Sequence, residues 1–495
     1  LQDANALQGA TFSMFRSSLV PKLCAVAALS LAVTACSSGG SSSIPSAAIA
    51  GMNVSKPMSP KAAGATIPSH IPTWAFDEYF GQGVNATTAQ VAQYVSYAEG
   101  GQGDNKATVD CDSGATKNCS SVFYFDPNFL YASTTCPGAQ AQAVLSVAAE
   151  SWFVHDSGYS DLAHRVQGNY SQVCNGGYVS VPVYLMDDAN PAVQSFFQSY
   201  IQSIGDGWDA YFMDDTSGRV LTQAYGPGGG FCQNNPPNHY CMATQEYPTD
   251  ASVVAAHDAF ANAMNHVSGS PMQFFFNGVG FSGSTVENLG ILQGSNRFLG
   301  AICENCIVNN GTLRPTMYAN VLTAMAQIDA IPGAAFVELN MSTAASGSVY
   351  EHQQRVITTA VAWLGFSPGQ TIVFPDLENN TSNLAVWPED QIYPTQPVES
   401  MVTSASDIQV APGVYVREFA ECYNAGVAIG QCAAVLNSTT SAVTVEKSWL
   451  KQSYTHLLAL TGGDALSGGT MSLTSDYFVA NTTQVQASLA TLLLK

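Results

Sequence analysis

Two adjacent carboxylates close a short apolar run near the middle of this sequence. Ala210-Tyr211-Phe212-Met213 is followed at once by Asp214 and Asp215, then by Thr216-Ser217-Gly218. An apolar run of this length, led in by a helix-like segment, has the form of a buried parallel strand. Carboxylates just beyond such a strand stand where a parallel α/β fold carries its chemistry. An Asp there can also cap the next segment, and for a single one the two readings weigh equally. Further strand-like runs end in the same way, at Asp77, Asp126, Asp156, Asn277, Glu304, Glu338 and Asp376. Paired carboxylates without a metal-binding cluster suit the cleavage of a glycosidic bond. One acid protonates the leaving oxygen, and the other attacks the anomeric carbon or activates water. Trp74, Tyr124, Trp152, His155, Tyr211, Trp363 and Trp387 offer flat faces for sugar rings, although core packing accounts for most rings of this kind. No metal and no cofactor is expected.

The composition narrows the partners. Of 495 residues only 10% are charged, and 15 Lys plus Arg stand against 36 Asp plus Glu, a formal net charge of -21. Without a basic field, nucleic acid and anionic lipid headgroups are poor partners, and a neutral ligand is favoured. No Gly-x-Gly-x-x-Gly or phosphate-cradling loop follows a strand, so a nucleotide crevice has no support. Gly280-Phe281-Ser282-Gly283-Ser284 lacks the spacing of a serine nucleophile elbow.

The N-terminus reads as a processing signal. Met14-Phe15-Arg16 and Lys22 precede the apolar stretch Leu23 to Val33, and Thr34-Ala35-Cys36 follows. A short basic region, a short apolar region and small residues make an export signal, too short to span a membrane. Val33-Thr34-Ala35-Cys36 resembles a bacterial lipobox, which implies a lipidated Cys36 and an exported chain: a surface or outer-membrane lipoprotein, or a periplasmic or secreted protein. The expected membrane contact is that anchor alone. Residues 37–66, rich in Ser, Gly, Ala and Pro, read as a disordered linker. Ten further cysteines in an exported chain suggest disulfides, the local pairs being Cys111–Cys119, Cys136–Cys174, Cys232–Cys241 and Cys422–Cys432. Cys303 and Cys306 have a metal-ligand spacing, but no second such pair and no His cluster accompanies them. A disulfide pinning the loop of Glu304 is the better reading.

Strand-like runs are expected at 71–76, 122–125, 151–154, 181–186, 210–213, 273–276, 298–302, 335–337 and 371–374. Helical spacing occupies 87–98, 143–149, 191–204, 251–264, 318–328 and 352–364. About eight strands alternating with helices over this length predict an α/β fold, a (β/α)8 barrel spanning 67–407. An open doubly wound sheet is the rival. From about residue 408 short strands joined by turns replace the helices, at 413–419, 427–429, 433–437, 442–445 and 492–494. They predict a small C-terminal β-sandwich over 408–495. The long Gly/Pro/Asn loop 217–248 is expected to be functional.

The run Gly207-Trp208-Asp209-Ala210-Tyr211-Phe212-Met213-Asp214-Asp215 resembles the fourth-strand motif of bacterial TIM-barrel glycoside hydrolases. That loose group is distantly similar to endo-polygalactosaminidases and dextranases. Tyr124-Phe125-Asp126-Pro127-Asn128, Trp152-Phe153-Val154-His155 and the stretch from Gly413 to Asn437 extend the likeness over most of 70–495. Ala210 stands where the group has Gly, and Asn437-Ser438 where it has Asn-Pro. The resemblance implies a retaining hydrolase acting on a poly- or oligosaccharide, with Asp214 as nucleophile and Glu304 as general acid/base. Trp74, Asp77, Tyr124, Asp126, His155, Asp215, Asn277 and Glu338 would line the substrate, and Glu338 is the rival for the acid/base role. A non-catalytic carbohydrate-binding lipoprotein is the alternative, and an esterase or deacetylase stands behind it.

Overall fold

The computed structural model describes residues 70–75, most of 95–216, and most of 244–339. It also describes 349–367, 371–374, 392–438 except Val402, and 456–461. Asp77, Asp376, Trp387, the signal and linker, and the predicted strands 442–445 and 492–494 lie outside them. So do most of the 217–248 loop and the pairs Cys136–Cys174 and Cys232–Cys241.

Eight parallel strands follow one another in chain order across a single sheet. They are β1 (Trp74–Ala75), β2 (Tyr97–Gly100), β3 (Ser120–Phe125), β4 (Ala210–Met213), β5 (Gln273–Asn277), β6 (Phe298–Glu304), β7 (Ala335–Leu339) and β8 (Thr371–Phe374). The sheet curls so that β1 adjoins β8, the form of a (β/α)8-like barrel. Helices Pro191–Ile204, Asp250–Met264, Tyr318–Asp329 and Val349–Leu364 lie in the crossovers between strands.

Side chains alternate along a strand, and two apolar clusters record the alternation. Trp74, Val122, Ala210, Phe212, Phe275, Ile302, Ala335 and Val337 fill the inside of the curl, with Tyr97, Tyr124 and Leu299 against them. Phe123, Phe125, Tyr211, Met213, Phe274, Phe276, Cys303 and Phe336 face outward into the helix layer.

One strand breaks this rhythm. Phe298 faces outward and Ile302 inward, although residues an even number apart should share a face. A register shift between Phe298 and Gly300 supplies the extra residue, as a β-bulge does. Only glycine fits there: a Cβ on Gly300 would sit 2.5 Å from the carbonyl oxygen of Ala335. The bulge therefore turns Glu304 to the inside and Cys303 to the outside.

Several expected elements are corrected. Residues 151–154 and 181–186 are not barrel strands. Glu150–Trp152 is a 3-10 turn, and Gly177–Leu185 is the centre of a separate three-stranded antiparallel sheet with Phe129–Tyr131 and Gln167–Cys174. That sheet is inserted between β3 and β4, and Val181, Val183 and Leu185 of its central strand are buried on one face. The predicted helix 87–98 does not extend through its last residues, because Tyr97 opens β2 and pairs in parallel with Trp74 and Ser120. The helix expected at 143–149 instead runs Ala139–Leu145.

Of the expected C-terminal sandwich, the described residues form one sheet. Val414–Asn424 and Val427–Asn437 form one long hairpin, joined by Ile392–Pro397, Gln409–Ala411 and His456–Thr461 in a single five-stranded sheet. Among the described residues no second sheet faces it. Helix Val349–Leu364 lies against it instead, and buried Arg417 donates to the carbonyls of Leu364 at 2.8 Å and Phe366 at 2.9 Å.

Candidate active site

The inward alternation sorts the acidic strand ends. Counting from the inward residues Tyr124, Phe212, Phe275 and Ile302, the next inward positions are Asp126, Asp214, Asn277 and Glu304. All four lie at the C-terminal ends of β3 to β6. Counting from Val337 turns Glu338 outward.

The hydrogen bonds at this end agree with the count. Asp214 Oδ2 accepts the Tyr124 hydroxyl at 2.8 Å, and Oδ1 accepts the Asp215 N–H at 2.8 Å. The Asn277 side-chain amide donates to Asp214 Oδ1 at 2.8 Å and to Glu304 Oε2 at 2.6 Å. One nitrogen thus bridges the two carboxylates. With its two hydrogens at the ordinary amide angle, the bridged oxygens stand about 5 Å apart. The stretch after β4 is sewn to β5: Thr216 N–H donates to the Asn277 carbonyl at 2.7 Å, and Asn288 Nδ2 donates to Thr216 O at 2.6 Å and to Gly278 O at 3.1 Å. Asn128 Nδ2 holds the Asp214 carbonyl at 3.3 Å.

Asp215 does not continue the strand. Its φ of 52° is left-handed, and its carboxyl group lies close enough to that of Asp126 to feel its charge. Asp126 Oδ1 meanwhile accepts the N–H groups of Asn128 and Phe129, both at 2.9 Å. Burial raises the Asp126 carboxyl to about 8, the charge of Asp214 adds to the rise, and the two N–H groups oppose it. Asp215 is pushed well above the carboxylate range, first by burial, then by the charges of Asp214 and Asp126. Burial raises Asp214 too, against hydrogen bonds from Asn277, Tyr124 and Asp215. In this cluster Asp215 and Asp126 hold protons most readily, and Asp214 is the carboxylate with donors on both oxygens.

The other sequence-predicted residues lie elsewhere. Trp74 is fully buried in the barrel interior, stacked on Tyr97 and donating its indole N–H to Glu99 at 2.9 Å, so no face is open to a sugar. His155 is 1% exposed, and its ring meets Glu246 at 2.8 Å and Glu150 at 3.0 Å beside the inserted sheet. Asp156, also buried, pairs its backbone with Thr244 there. Tyr211, Trp152 and Trp363 belong to the outer core. Glu338 is 2% exposed on the outer face and accepts the Ile307 N–H at 3.3 Å. Asp209 of the motif is structural, accepting the Ser121 N–H at 2.8 Å at the start of β4. Sequence reasoning passed over Asn128, Thr216, Asn288 and Gly300. Asn128 alone had a signal, as part of the Tyr124–Asn128 stretch.

Of the expected disulfides, Cys111–Cys119, Cys303–Cys306 and Cys422–Cys432 form.

No protein-family model and no curated protein matches this chain. Among solved structures it is similar to TtGalA, an α-galactosidase from Thermus thermophilus in complex with stachyose. That match has 12% identity and a TM-score of 0.35, and covers 64% of this chain and 62% of that one. It is also similar to a cycloisomaltooligosaccharide glucanotransferase from Paenibacillus sp. (12% identity, TM-score 0.31, 57% and 39% covered) and to α-L-fucosidase isoenzyme 2 from Paenibacillus thiaminolyticus (9% identity, TM-score 0.33, 64% and 47% covered). The chain thus spans less than two thirds of the length of each. Likeness at this level transfers no residue and no substrate.

Proposed function

We propose that this chain is a retaining glycoside hydrolase, with Asp214 as nucleophile and Glu304 as general acid/base. The observation that carries the reading is the Asn277 amide, which spans the two carboxylates on the inner face of the barrel mouth. Their bridged oxygens are close to the roughly 5–5.5 Å that double displacement uses, and short of the roughly 6.5–9.5 Å that leaves room for an attacking water.

In this mechanism a carboxylate oxygen of Asp214 attacks the anomeric carbon as the glycosidic C–O bond breaks. Glu304 gives its proton to the leaving oxygen. Glu304 then takes a proton from water, whose oxygen attacks the same carbon and releases Asp214 as a carboxylate. Tyr124 and Asn277 hold the Asp214 rotamer and support its charge while free. Asp215 and Asp126, both raised by burial and by the charge of Asp214, keep further negative charge from crowding it.

A neutral or amino-sugar poly- or oligosaccharide fits a chain with 10% charged residues and a net charge of -21, since an acidic polymer would be repelled. Action outside the cytoplasm accords with the lipobox-like Val33–Cys36, with residues 1–36 as upstream sequence and signal, 37–66 as tether, and 67–407 as the catalytic unit.

The test is a panel of glycans and aryl glycosides with reducing-end detection, run on the native chain and on Asp214→Asn. Turnover of one sugar class with retained anomeric configuration, lost by at least a thousandfold in Asp214→Asn, is expected. Glycan binding without turnover would leave the binding-protein reading, and an inverted product would move the nucleophilic role from Asp214 to water.

A further inference from the structure

On the outer face of β6 and β7, away from the bridged carboxylates, a second group of reactive side chains converges. Cys303 and Glu338 are register partners on the two strands, so their side chains leave the same face. Cys306 returns to that face through a tight turn in which Asn305 has a φ of 56°. The two sulfurs and a Glu338 carboxylate oxygen all lie within 4.8 Å of one another, and all three residues are buried. Glu338 Oε1 accepts the Ile307 N–H, but Oε2 has no hydrogen-bond partner among the described residues. A carboxyl group 2% exposed with an idle oxygen is expensive as packing alone. Its carboxylate lies beside two sulfurs.

We propose that reduction of the Cys303–Cys306 disulfide converts this trio into a binding site for a zinc-type divalent cation, with both thiolates and the Glu338 carboxylate as ligands. An external dithiol supplies the two electrons and two protons that open the S–S bond and is itself oxidised to a disulfide. The cation then displaces the two thiol protons, and the carboxyl proton that burial favours on Glu338. Thiolates select soft or borderline cations over calcium and magnesium. Metal–sulfur bonds of about 2.3 Å and metal–oxygen bonds of about 2.0–2.2 Å put neighbouring ligand atoms under about 4 Å apart, so the trio closes on the ion by small side-chain shifts. Three protein ligands leave the fourth position to water. The turn carrying Glu304 would be clamped by the disulfide in one redox state and by the cation in the other. The sequence hides this site, because the third ligand lies on the next strand rather than in a second Cys pair.

The test uses the full chain reduced with a phosphine, titrated with Co2+ and followed by thiolate-to-cobalt charge-transfer absorption. Zn2+ is added in a parallel thermal melt. The reduced native chain should bind one Co2+ more than the Cys303→Ser/Cys306→Ser variant, which keeps every other cysteine. Glu338→Gln should bind at this site at least tenfold more weakly. Zn2+ should raise the Tm of the reduced native chain and leave that of the double-serine variant unchanged. Equal Co2+ binding by native and double-serine chains, native affinity in Glu338→Gln, or no Zn2+-dependent rise in Tm would overturn the proposal. None of these readouts depends on glycosidase activity.

Discussion

Replacing Asn277 by Ala isolates the contribution of the bridge. The substitution removes the amide that donates to Asp214 at 2.8 Å and to Glu304 at 2.6 Å, while leaving the β5 backbone that holds Thr216. Asn277 is the largest of the hydrogen bonds that hold the Asp214 carboxyl down against burial. A hydrogen bond to a charged group contributes about 1.5–3 kcal/mol, and 1.36 kcal/mol is about one pKa unit. Loss of that donor should therefore raise the Asp214 carboxyl further in the variant. A nucleophile with a raised pKa is protonated over a wider range, so the acid limb of the kcat/KM profile should move to higher pH. The carboxylates also lose their common donor, and kcat at the optimum should fall about 10²-fold, in line with removal of a preorganised donor. The assay is a pH–rate profile on the aryl glycoside selected by the panel, with Tyr124→Phe as a parallel variant that removes the donor on the other oxygen. An acid limb that stays in place, with activity within threefold of native, would refute the view that the bridge sets the ionisation of Asp214.

Other outcomes follow from the same geometry. Glu304→Gln should retain activity on substrates with activated leaving groups and regain some with azide, whereas Glu338→Gln should show no leaving-group dependence, because its side chain lies on the opposite face; the reverse pattern in a Brønsted series would exchange the two roles. Gly300→Ala should lower both Tm and kcat, since its Cβ would meet the Ala335 carbonyl at 2.5 Å, and a native-like Tm with native kcat would contradict the need for a bulge. The Asp126 carboxyl, raised to about 8 in the fold and near 3.9 when unfolded, binds more protons folded than unfolded between those values. Stability from this group is therefore full at low pH and lost as pH rises towards 8. Asp126→Asn should flatten that decline, with its Tm gain over the native chain growing from pH 5 to pH 8, and a constant gap across the range would remove Asp126 as the cause.

The strand ends that matter were largely legible, because buried parallel strands are apolar runs and their tips are polar. Asp214, Asn277 and Glu304 could be placed at strand tips from sequence alone. Their convergence could not, since it depends on which face each tip presents. β2 hides because Tyr97-Ala98-Glu99-Gly100 is no apolar run; its Glu99 is buried in the interior against Trp74. Residues 181–186 mislead in the other direction, being apolar enough for a barrel strand while pairing antiparallel in the inserted sheet. Trp74 and His155 are residue types that touch sugars, but here a neighbouring strand and two carboxylates have already claimed them. The choice between Glu304 and Glu338 was beyond the sequence, since strict alternation from Phe298 selects the wrong face.

The bulge at Phe298–Gly300 also bears on how this strand can evolve. Loss of a single codon there would leave the composition of β6 almost unchanged, and any profile of its hydrophobicity would look the same. The strand would then run regularly, with Phe298 still outward on Phe274 and each later residue still on the face of its partner in β5. A gain of one residue would instead need a second irregularity, or Cys303 would point into the barrel opening and Glu304 into the helix layer, beside Glu338. β6 can thus shorten by one residue without turning its tip, but cannot lengthen by one. Relatives sharing this mouth should carry a one-residue deletion in the first half of the strand more readily than a one-residue insertion there.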